Sequence, residues 1–344
     1  MNPVYPQFKD AFARLLAALA GRRIVVLGHA RPDGDCTGSQ VALTRVLRAL
    51  GHDAVCANPD PVPRRLAFLV GDTPYVSLET AFAENRVAIY VDCADARRAS
   101  DRFAAAFPAP VGCIDHHLSN AGYAEHNLID TASSATGEIL AGVFLDAALP
   151  VDATTAMALY TGIATDTGQF RFAGTTRRTF SLAAELVALG ADPARMGLEL
   201  YEQESLGKLR LLQHFLSSLE LSCEGRVCIG VVPESVYRET GTGPEDVEGV
   251  VDYARSIEGV EIGAFIEVRA GAIKASLRGK DAALRLDRVA AEFNGGGHAC
   301  AAGLNVKDEP LELFLPRLRA ALCARVQTVV ATRAAIPPRP ATPA

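Results

Sequence analysis

Residues 23–35 read RIVVLGHARPDGD, an unbroken apolar run that ends in a polar segment. Consecutive isoleucine, valine and leucine residues predict a fully buried strand over residues 23–28. The proline and glycine that follow favour a loop directly after the strand. In such a loop His29, Asp33 and Asp35 can converge at the end of the strand. The stretch therefore predicts a core strand that carries three polar side chains at its carboxyl end.

The alternation of apolar strands and helical patterns continues through the first half of the chain. Further strands are predicted over residues 54–57, 87–91 and 111–114. Helices are predicted over residues 37–50, 134–146, 153–164 and 176–189. Buried strands separated by helices indicate an α/β fold whose mostly parallel sheet is covered by helices on both faces. Such sheets bind ligands beyond the carboxyl ends of their strands, so the site is expected there.

The second half repeats the α/β pattern on a smaller scale, after a helical stretch over residues 193–221 that is interrupted at Gly207. Strands are predicted over residues 227–232, 260–268 and 272–277, with helices near 246–257 and 287–293. The last residues are rich in alanine and proline, which is typical of disordered tails. The predicted organisation is a first domain over residues 1–190, a helical linker over 191–222, a second, smaller α/β domain over 223–328 and a disordered tail over 329–344.

Length and composition bound the class of protein. A chain of 344 residues suggests two domains, and 49% apolar with 22% charged residues is ordinary globular composition. A mainly disordered, collagenous or coiled-coil chain is therefore excluded. Lysine and arginine number 34 against 40 aspartate and glutamate residues, for a net charge of −6. An acidic chain without tryptophan is poorly suited to coat long nucleic acid, although bound cations would let it act on a small anion.

The cysteines and the N-terminal region bear on the compartment. None of the eight cysteines forms a CxxC pair, and most lie in apolar runs. This predicts buried free thiols in a reducing compartment, not a disulfide framework or a zinc site. The N-terminal segment is expected to form an amphipathic helix, and no apolar run reaches the roughly 18 residues of a membrane span. We therefore expect a cytoplasmic protein.

Polar residues also follow the other predicted strands. Asp92 comes directly after the third strand; Asp115, His116 and His117 end or follow the fourth, and Asp166 comes at the end of a predicted helix. A lone aspartate after a strand is more often a helix cap or turn former, and a lone histidine is more often structural. Four separate segments that bring aspartate or histidine to one edge of one sheet are harder to explain in that way.

Charge balance predicts what this cleft would hold. The carboxylates of Asp33, Asp35, Asp92 and Asp166 would repel one another strongly if they shared a cleft without cations. Two divalent ions supply four positive charges against these four negative charges, with the neighbouring histidines neutral. Mixed carboxylate and imidazole ligation suits Mn²⁺, and Mg²⁺ or Co²⁺ can substitute for it. The pattern therefore favours a site for two divalent metal ions.

These motifs resemble those of the DHH-family phosphoesterases. In the first domain the resemblance rests on His29, Asp33, Asp35, Asp92, Asp115, His116, His117 and Asp166. In the second domain residues 252–259, 276–278 and 294–303 are similar to the associated DHHA1 substrate-binding domain of the family. The match covers nearly the whole chain. Within the family, the size and the two-domain pattern are most similar to the branch of short-oligoribonucleases (nanoRNases) and 3′-phosphoadenosine-5′-phosphate (pAp) phosphatases.

The resemblance implies roles for the residues of the first domain. The expected ligands of one Mn²⁺ ion are His29, Asp33 and Asp92. The expected ligands of the second are Asp35, Asp92, His116 and Asp166, so that Asp92 bridges the two ions. The resemblance also implies two catalytic residues. Asp115 would fix the orientation of a histidine ring, and His117 would face the substrate phosphate as a hydrogen-bond donor or as an acid near the leaving group.

The second domain is expected to bind substrate. The run Gly295, Gly296 and Gly297 allows backbone N–H groups to approach an anion closely. His298 is expected to begin a helix whose N-terminus favours the same charge, and Arg278 can bind a phosphate through its guanidinium group. The simpler alternatives are a packing turn for the glycine run and a surface cation for Arg278.

The function implied is hydrolysis of very short RNA and of pAp through a water activated by two metal ions. Short oligonucleotides, linear dinucleotides or pAp are the expected substrates. We expect neither long duplex nucleic acid nor a membrane as a partner. The sequence leaves open whether the chain forms a homodimer. Three alternatives remain at this point: an inorganic pyrophosphatase or exopolyphosphatase on the same scaffold, an exonuclease for longer single strands, and a non-catalytic nucleotide sensor. All six expected metal ligands are present, which disfavours the sensor.

Overall fold

The computed structural model describes residues 3–269 and 271–334, and its chain forms two compact units. The first unit extends to Gln203 and the second begins at Glu204. Both have helices and a sheet, which confirms the predicted α/β class. None of the helices described is both long and apolar enough to cross a membrane.

A parallel sheet of five strands forms the centre of the first unit. Its strands are β1 (Arg23–Leu27), β2 (Asp53–Ala57), β3 (Val87–Val91), β4 (Gly112–Asp115) and β5 (His126–Ile129). They lie in the order β2-β1-β3-β4-β5, and each neighbouring pair is parallel. The chain moves outward in one direction from β1 and in the other from β3. The cleft between the ends of these two strands is therefore the switch point at which open α/β sheets bind ligands.

Nine helices accompany this sheet among the described residues. They are α1 (Lys9–Ala18), α2 (Gly34–Ala49), α3 (Ala67–Val70), α4 (Leu78–Ala83), α5 (Asp101–Ala106), α6 (Thr136–Asp146), α7 (Ala153–Asp166), α8 (Arg177–Ala188) and α9 (Pro193–Tyr201). Alternate residues of β1 enter different apolar clusters: Ile24 and Val26 lie in one, and Val25 and Leu27 lie in the other. Because successive side chains of a strand point to opposite faces, both faces of the sheet are covered, as predicted.

Helices α2 and α7 pack closely because glycines lie between them. A Cβ atom at Gly38 would lie 2.3 Å from the carbonyl oxygen of Ala158, and one at Gly162 would lie 2.7 Å from Oδ1 of Asp35. The missing side chains let the two backbones approach each other. This approach brings Asp35, in the first turn of α2, close to α7, which ends at Asp166.

The second unit has a mixed sheet of six strands. They are β6 (Glu220–Ser222), β7 (Val227–Val232), β8 (Ile262–Arg269), β9 (Ala272–Gly279), β10 (Gly296–Gly297) and β11 (Ala301–Lys307). Their order is β10-β11-β9-β8-β7-β6, with β7 and β8 parallel and the other neighbouring pairs antiparallel. The accompanying helices are α10 (Leu206–Ser217), α11 (Glu234–Thr240), α12 (Val250–Ser256), α13 (Leu286–Ala291) and α14 (Leu311–Ala334).

Two boundaries differ from the sequence-based predictions. The helical stretch over residues 193–221 breaks at residues 202–205, not at Gly207, because Ser205 caps the N-terminus of α10 through its hydroxyl group. The tail predicted over residues 329–344 is wrong for residues 329–334, which belong to α14. Val326 and Val329 of this helix are buried in the core of the second unit, which stabilises its last turns. Residues 335–344 lie outside the described residues.

The prediction that the chain contains no disulfide is wrong at one pair. Cys223 and Cys323 are joined, with Cα atoms 5.6 Å apart. Their separation of 100 residues hides this contact from any spacing argument, because the bond joins the turn after β6 to α14. The other six cysteines are free thiols, and Cys300 is the one of these six that is not fully buried.

The close approach of α2 and α7 makes a testable prediction for Gly38. A methyl group there would force the helices apart, so we expect Gly38→Ala to lower the free energy of unfolding by about 1–3 kcal/mol. Gly197→Ala is the matched control, because Gly197 also lies inside a helix and a Cβ atom there would meet no atom within 4 Å. Urea denaturation followed by circular dichroism measures both. Equal losses in the two variants would contradict the packing argument.

Candidate metal centre

Asp92 lies at the switch point, directly after β3. Its φ angle is +51°, a left-handed conformation that aspartate tolerates better than most residues. Its amide N–H donates to the carbonyl of Ile114 at 3.0 Å, which ties this turn to β4. The residue is 2% exposed. The fold therefore holds one buried carboxylate at the end of the central strands.

Three imidazole rings surround the carboxylate of Asp92. Its Oδ2 atom lies 3.4 Å from Nε2 of His29. Its Oδ1 atom lies 3.6 Å from Nε2 of His116 and 3.6 Å from Nδ1 of His117. The hydroxyl group of Thr136 also donates to Oδ1, at 3.3 Å. Asp92 thus contacts polar groups from several chain segments, as a bridging ligand would.

Two further carboxylates complete one side of the cluster. Oδ2 of Asp166 lies 3.2 Å from Nε2 of His116. Ligand atoms of Asp35, His116 and Asp166 all lie within 4.8 Å of one another. Asp35 is fully buried and accepts hydrogen bonds from the backbone N–H groups of Thr136 (2.7 Å) and Gly137 (2.8 Å) at the N-terminus of α6. The helix dipole adds to this stabilisation of a buried negative charge.

Asp33 has two roles that the sequence could not separate. Its side chain caps α2 by accepting from the backbone N–H of Cys36 at 3.0 Å, which is the ordinary role of an aspartate at this position. The same Oδ1 atom lies 3.7 Å from Nε2 of His29. The thiol of Cys36 also lies close to His29 and Asp92, although the sequence does not single it out. The structure therefore brings all six predicted ligands to one edge of the sheet; their role as ligands stays a prediction.

Backbone carbonyls orient two of the rings. Nδ1 of His29 lies 2.9 Å from the carbonyl oxygen of Ala30, and Nδ1 of His116 lies 3.3 Å from that of Ser133. A carbonyl oxygen only accepts hydrogen bonds, so Nδ1 carries the proton in both rings. Each ring, when neutral, thus directs the lone pair of Nε2 toward the carboxylates. This is the arrangement in which histidine binds a metal ion.

The pKa values show how crowded the charges are. Burial, followed by the negative charges of Asp92 and Asp166, raises the pKa of Asp35 well above its ordinary value. Burial also raises the pKa of Asp166 to about 6. Burial opposes protonation of His116, but the neighbouring carboxylates outweigh it and raise its pKa to about 10. Buried carboxylates with raised pKa values, beside imidazoles that face them, form a donor set that a divalent cation fits.

Besides its contact with Asp92, His117 belongs to a second hydrogen-bond network. Its Nδ1 atom lies 2.7 Å from Oδ1 of Asp115, and its Nε2 atom lies 3.0 Å from Nη1 of Arg98. Arginine only donates, so Nε2 accepts and Nδ1–H donates to Asp115. Oδ2 of Asp115 in turn accepts from Asn120 at 2.7 Å. Burial opposes ionisation of Asp115, but the hydrogen bond to His117 lowers its pKa.

Sequence reasoning gave no role to Arg98 and Asn120. The only available signal is position, since Arg98 follows Asp92 on the same loop and Asn120 lies three residues after His117. Neither spacing identifies a side-chain contact without the fold.

Both units of the chain match protein families. The DHH family, N-terminal domain, matches residues 23–163, and the DHHA1 domain matches residues 225–328. The chain is 30% identical over 317 residues to the bifunctional oligoribonuclease and PAP phosphatase NrnA of Thermus thermophilus, which covers 92% of this chain and 94% of that protein. The chain belongs to the DHH family.

Solved structures agree with this assignment to the DHH family. An exopolyphosphatase-related protein from Bacteroides fragilis has a TM-score of 0.85 and 26% identity, with 94% of this chain and 97% of that chain covered. The exonuclease RecJ bound to manganese has a TM-score of 0.52 at 16% identity, covering 93% of this chain and 94% of that chain. The likeness to RecJ shows a shared fold alone. Family and fold are thus confirmed as the sequence predicts them.

The predicted substrate-binding residues of the DHHA1 domain lie on neighbouring strands. Arg278 of β9 is paired in register with Ala301 of β11 and is half-buried. Gly296 and Gly297 form β10, which pairs with Gly303 and Ala302 of the same strand, and Gly295 directly precedes it. The structure therefore places Arg278 and the glycine run on strands that flank β11.

The helix predicted to begin at His298 is wrong. His298 is an exposed residue of the turn between β10 and β11, and its backbone N–H donates to the carbonyl of Ala301 at 2.7 Å. A glycine run permits a tight hairpin as readily as a helix-opening loop, so its composition cannot distinguish the two. No helix N-terminus is therefore available at residues 298–302 to bind an anion.

The contacts of Asp92 predict the effect of removing its charge. Asp92→Asn removes one negative charge from the centre of the cluster, so we expect activity to be abolished and bound Mn²⁺ to fall while the circular dichroism spectrum is kept. Asp10→Asn, on the exposed face of α1, is the control and should bind Mn²⁺ normally. Full Mn²⁺ stoichiometry with near-normal turnover in Asp92→Asn would refute the bridging role.

The adjacent histidines predict different losses. His116 directs Nε2 toward two carboxylates, whereas His117 is held between Asp115 and Arg98. His116→Ala should weaken Mn²⁺ binding. His117→Ala should keep its metal and lose kcat by about 10²–10⁴-fold, the usual range for a lost proton donor. His214→Ala, on α10, is the control. Isothermal titration calorimetry measures Mn²⁺ binding, and steady-state kinetics measures kcat. Loss of metal in both variants, or in neither, would overturn the assignment.

Proposed function

We propose that this protein is a divalent-cation-dependent hydrolase of phosphoester bonds. The observation that carries the proposal is the buried carboxylate of Asp92, which contacts three imidazoles while Asp35 and Asp166 lie beside the same cluster. Such a concentration of carboxylates at a switch point suits metal-assisted chemistry on an anion better than it suits structural support.

The proposed ligand sets follow the contacts. His29, Asp33 and Asp92 would hold one ion, and Asp35, Asp92, His116 and Asp166 would hold the other. Bound Mn²⁺ ions, or Mg²⁺ or Co²⁺ in their place, would polarise the phosphoryl group and make the attacking water more acidic. The carbonyls of Ala30 and Ser133 keep the rings in the tautomer that leaves Nε2 free to bind.

The remaining polar residues act on the substrate in this proposal. Asp115 fixes the ring of His117 through Nδ1, so that Nε2 faces the side on which Arg98 lies. A phosphate that binds the guanidinium group of Arg98 would compete with His117 for its N–H donors. Nε2 of His117 would then be free to take up a proton and donate it to the phosphate or to the leaving oxygen.

For the substrate we propose very short RNA, linear dinucleotides and pAp. The NrnA relative from Thermus thermophilus, named an oligoribonuclease and PAP phosphatase, supports this class because nearly all of both chains align. The net charge of −6 supports a short substrate, since long nucleic acid is normally bound by a basic surface. The free thiols support a cytoplasmic location, although the Cys223–Cys323 pair counts against it.

One assay tests this proposal. Purified protein with Mn²⁺ is given 5′-labelled RNAs from two nucleotides upward, with pAp and pyrophosphate in parallel. We expect the fastest hydrolysis on the shortest RNAs and on pAp, and none after chelation with EDTA. The pyrophosphate arm is needed because a neighbouring structure belongs to an exopolyphosphatase-related protein. Activity on pyrophosphate alone would contradict the proposed substrate, and a preference for long RNA would indicate an exonuclease.

The proposal also predicts how the second unit contributes. Arg278 is expected to bind a substrate phosphate, together with the turn that contains Gly295, Gly296, Gly297 and His298. Losing one charge-assisted contact costs roughly 1.5–3 kcal/mol, so Arg278→Ala should lower kcat/KM for dinucleotides and pAp by about 10- to 150-fold. Both metal ions should remain bound.

The control for Arg278 uses a second substrate and a second variant. A small activated phosphodiester that lacks the distal phosphate should be hydrolysed as before by Arg278→Ala. Arg317→Ala removes the same charge from an exposed ion pair on α14 and should leave both substrates unaffected. Equal losses on the two substrates would mean that Arg278 supports the fold and does not bind substrate.

A further inference from the structure

A buried carboxylate outside the metal cluster organises the loop between β5 and α6. Glu138 is fully buried and is not one of the expected ligands. Its Oε1 atom accepts from Nε of Arg178 at 2.6 Å and from the hydroxyl of Tyr5 at 3.3 Å. Its Oε2 atom accepts from the backbone N–H of Ser134 at 3.0 Å, from the hydroxyl of Ser134, and from Thr179 at 3.0 Å. One carboxylate thus joins the N-terminal segment, this loop and α8.

Arg178 adds a second set of bonds to the same loop. Its Nη2 atom donates to the carbonyl of Ala132 at 3.2 Å and to the hydroxyl of Ser133 at 3.2 Å. It also lies 3.3 Å from Oδ2 of Asp130. Its guanidinium group packs over the ring of Tyr5, 4.6 Å from the ring centre. The guanidinium group is therefore held in place on several sides and fixes the backbone of residues 130–134.

The same loop contacts three of the expected metal ligands. The carbonyl of Ser133 accepts from Nδ1 of His116. At the start of α6, directly after the loop, the N–H groups of Thr136 and Gly137 donate to Asp35, and the hydroxyl of Thr136 donates to Asp92. A shift of this loop would move the acceptor that orients one ring and the donors that hold two carboxylates.

We infer that Glu138 and Arg178 are positioning residues for the metal centre, acting through residues 130–137, which are the loop and the first two residues of α6. They hold the Ser133 carbonyl where it selects the tautomer of His116 with a free Nε2, and they hold the start of α6 against Asp35. This inference rests on the proposed metal site and adds residues that lie outside it. Outer residues that orient a ligand typically change metal affinity by about 10- to 100-fold.

The test measures Mn²⁺ affinity in a variant that removes the guanidinium group. Arg178→Met keeps an apolar stem of similar length and should weaken one of the two Mn²⁺ ions by about 10- to 100-fold. The affected ion is the one assigned to Asp35, Asp92, His116 and Asp166. The other ion shares only Asp92 with this set, so it should be weakened less, and turnover should recover at saturating Mn²⁺. Arg177→Met, at the adjacent exposed position of α8, is the control and should match the wild type.

Two milder variants keep the inference testable if Arg178→Met does not fold. Arg178→Lys keeps one cationic nitrogen but cannot bind Glu138 and the loop as arginine does, because Arg178 uses Nε for Glu138 and Nη2 for Ala132 and Ser133. Its Mn²⁺ affinity should therefore lie between those of the wild type and the Met variant. Tyr5→Phe keeps the ring under the guanidinium group and removes only the hydroxyl bonds to Ser133 and Glu138. It should weaken the same ion to a smaller extent.

The outcomes separate this inference from the proposed function. A folded Arg178→Met variant with a lower melting temperature but unchanged Mn²⁺ affinities would show a merely structural role and overturn the inference, while leaving the metal site intact. The same holds for Arg178→Lys and Tyr5→Phe if both bind Mn²⁺ like the wild type. A wild-type protein that binds no Mn²⁺ would instead contradict the proposed function itself.

Discussion

Electrostatic repulsion among buried carboxylates is the constraint on which the rest of the first unit depends. Two like charges about 4 Å apart repel by about 4 kcal/mol at an effective dielectric constant of about 20. Ligand atoms of Asp35 and Asp166 lie within 4.8 Å of each other, and the charge of Asp92 raises the pKa of both. Whole domains are stable by only about 5–15 kcal/mol. Burial, together with this repulsion, raises the pKa values of Asp35 and Asp166, so that without cations the cluster binds protons more readily than isolated carboxylates do. With cations bound, the same groups become the source of affinity.

The scaffold around the cluster reduces this cost before any ion binds. The start of α6 donates two N–H groups to Asp35, and the glycines between α2 and α7 let the backbone of α7 approach the same side chain. The absence of side chains at Gly38 and Gly162 is therefore more than a packing detail. A larger residue at Gly162 would displace the carboxylate of Asp35, which the N-terminus of α6 stabilises. The close packing of α2 against α7 is therefore needed to keep this buried charge in place.

The sequence predicts the convergence of aspartate and histidine side chains around Asp92 better than it predicts the residues around them, for a physical reason. In a parallel sheet, residues that follow adjacent strands must meet, so His29, Asp92 and His116 can be placed together from the strand pattern alone. The strand β5 is missed because, within His126–Ile129, only Leu128 is fully buried and no apolar run forms. Arg98, Asn120 and Arg178 are missed because their contacts depend on how loops fold back, and a loop has no periodicity to read.

The wrong sequence-based predictions for the second unit also share one cause. The glycine run permits both a hairpin and a helix-opening loop, and pairing of β10 with β11 decides between them. The Cys223–Cys323 pair joins residues 100 positions apart, and Arg333 in the last turn of α14 pairs with Glu261 and Asp281. Spacing encodes none of these contacts. Local patterns therefore place strands and helices here but do not decide turns.

An acidic chain that acts on a polyanion must obtain positive charge locally. A basic groove would bind oligonucleotides of any length, because each added phosphate finds another cation. In this protein the positive charge at the site would come from two ions and from Arg98, all confined to the end of one sheet, with Arg278 as a separate cation in the second unit. Affinity would therefore stop rising once the few local phosphate positions are filled. The net charge of −6 would then oppose every further phosphate. With the charge placed in this way, the proposed preference for very short substrates would need no length-measuring device of its own.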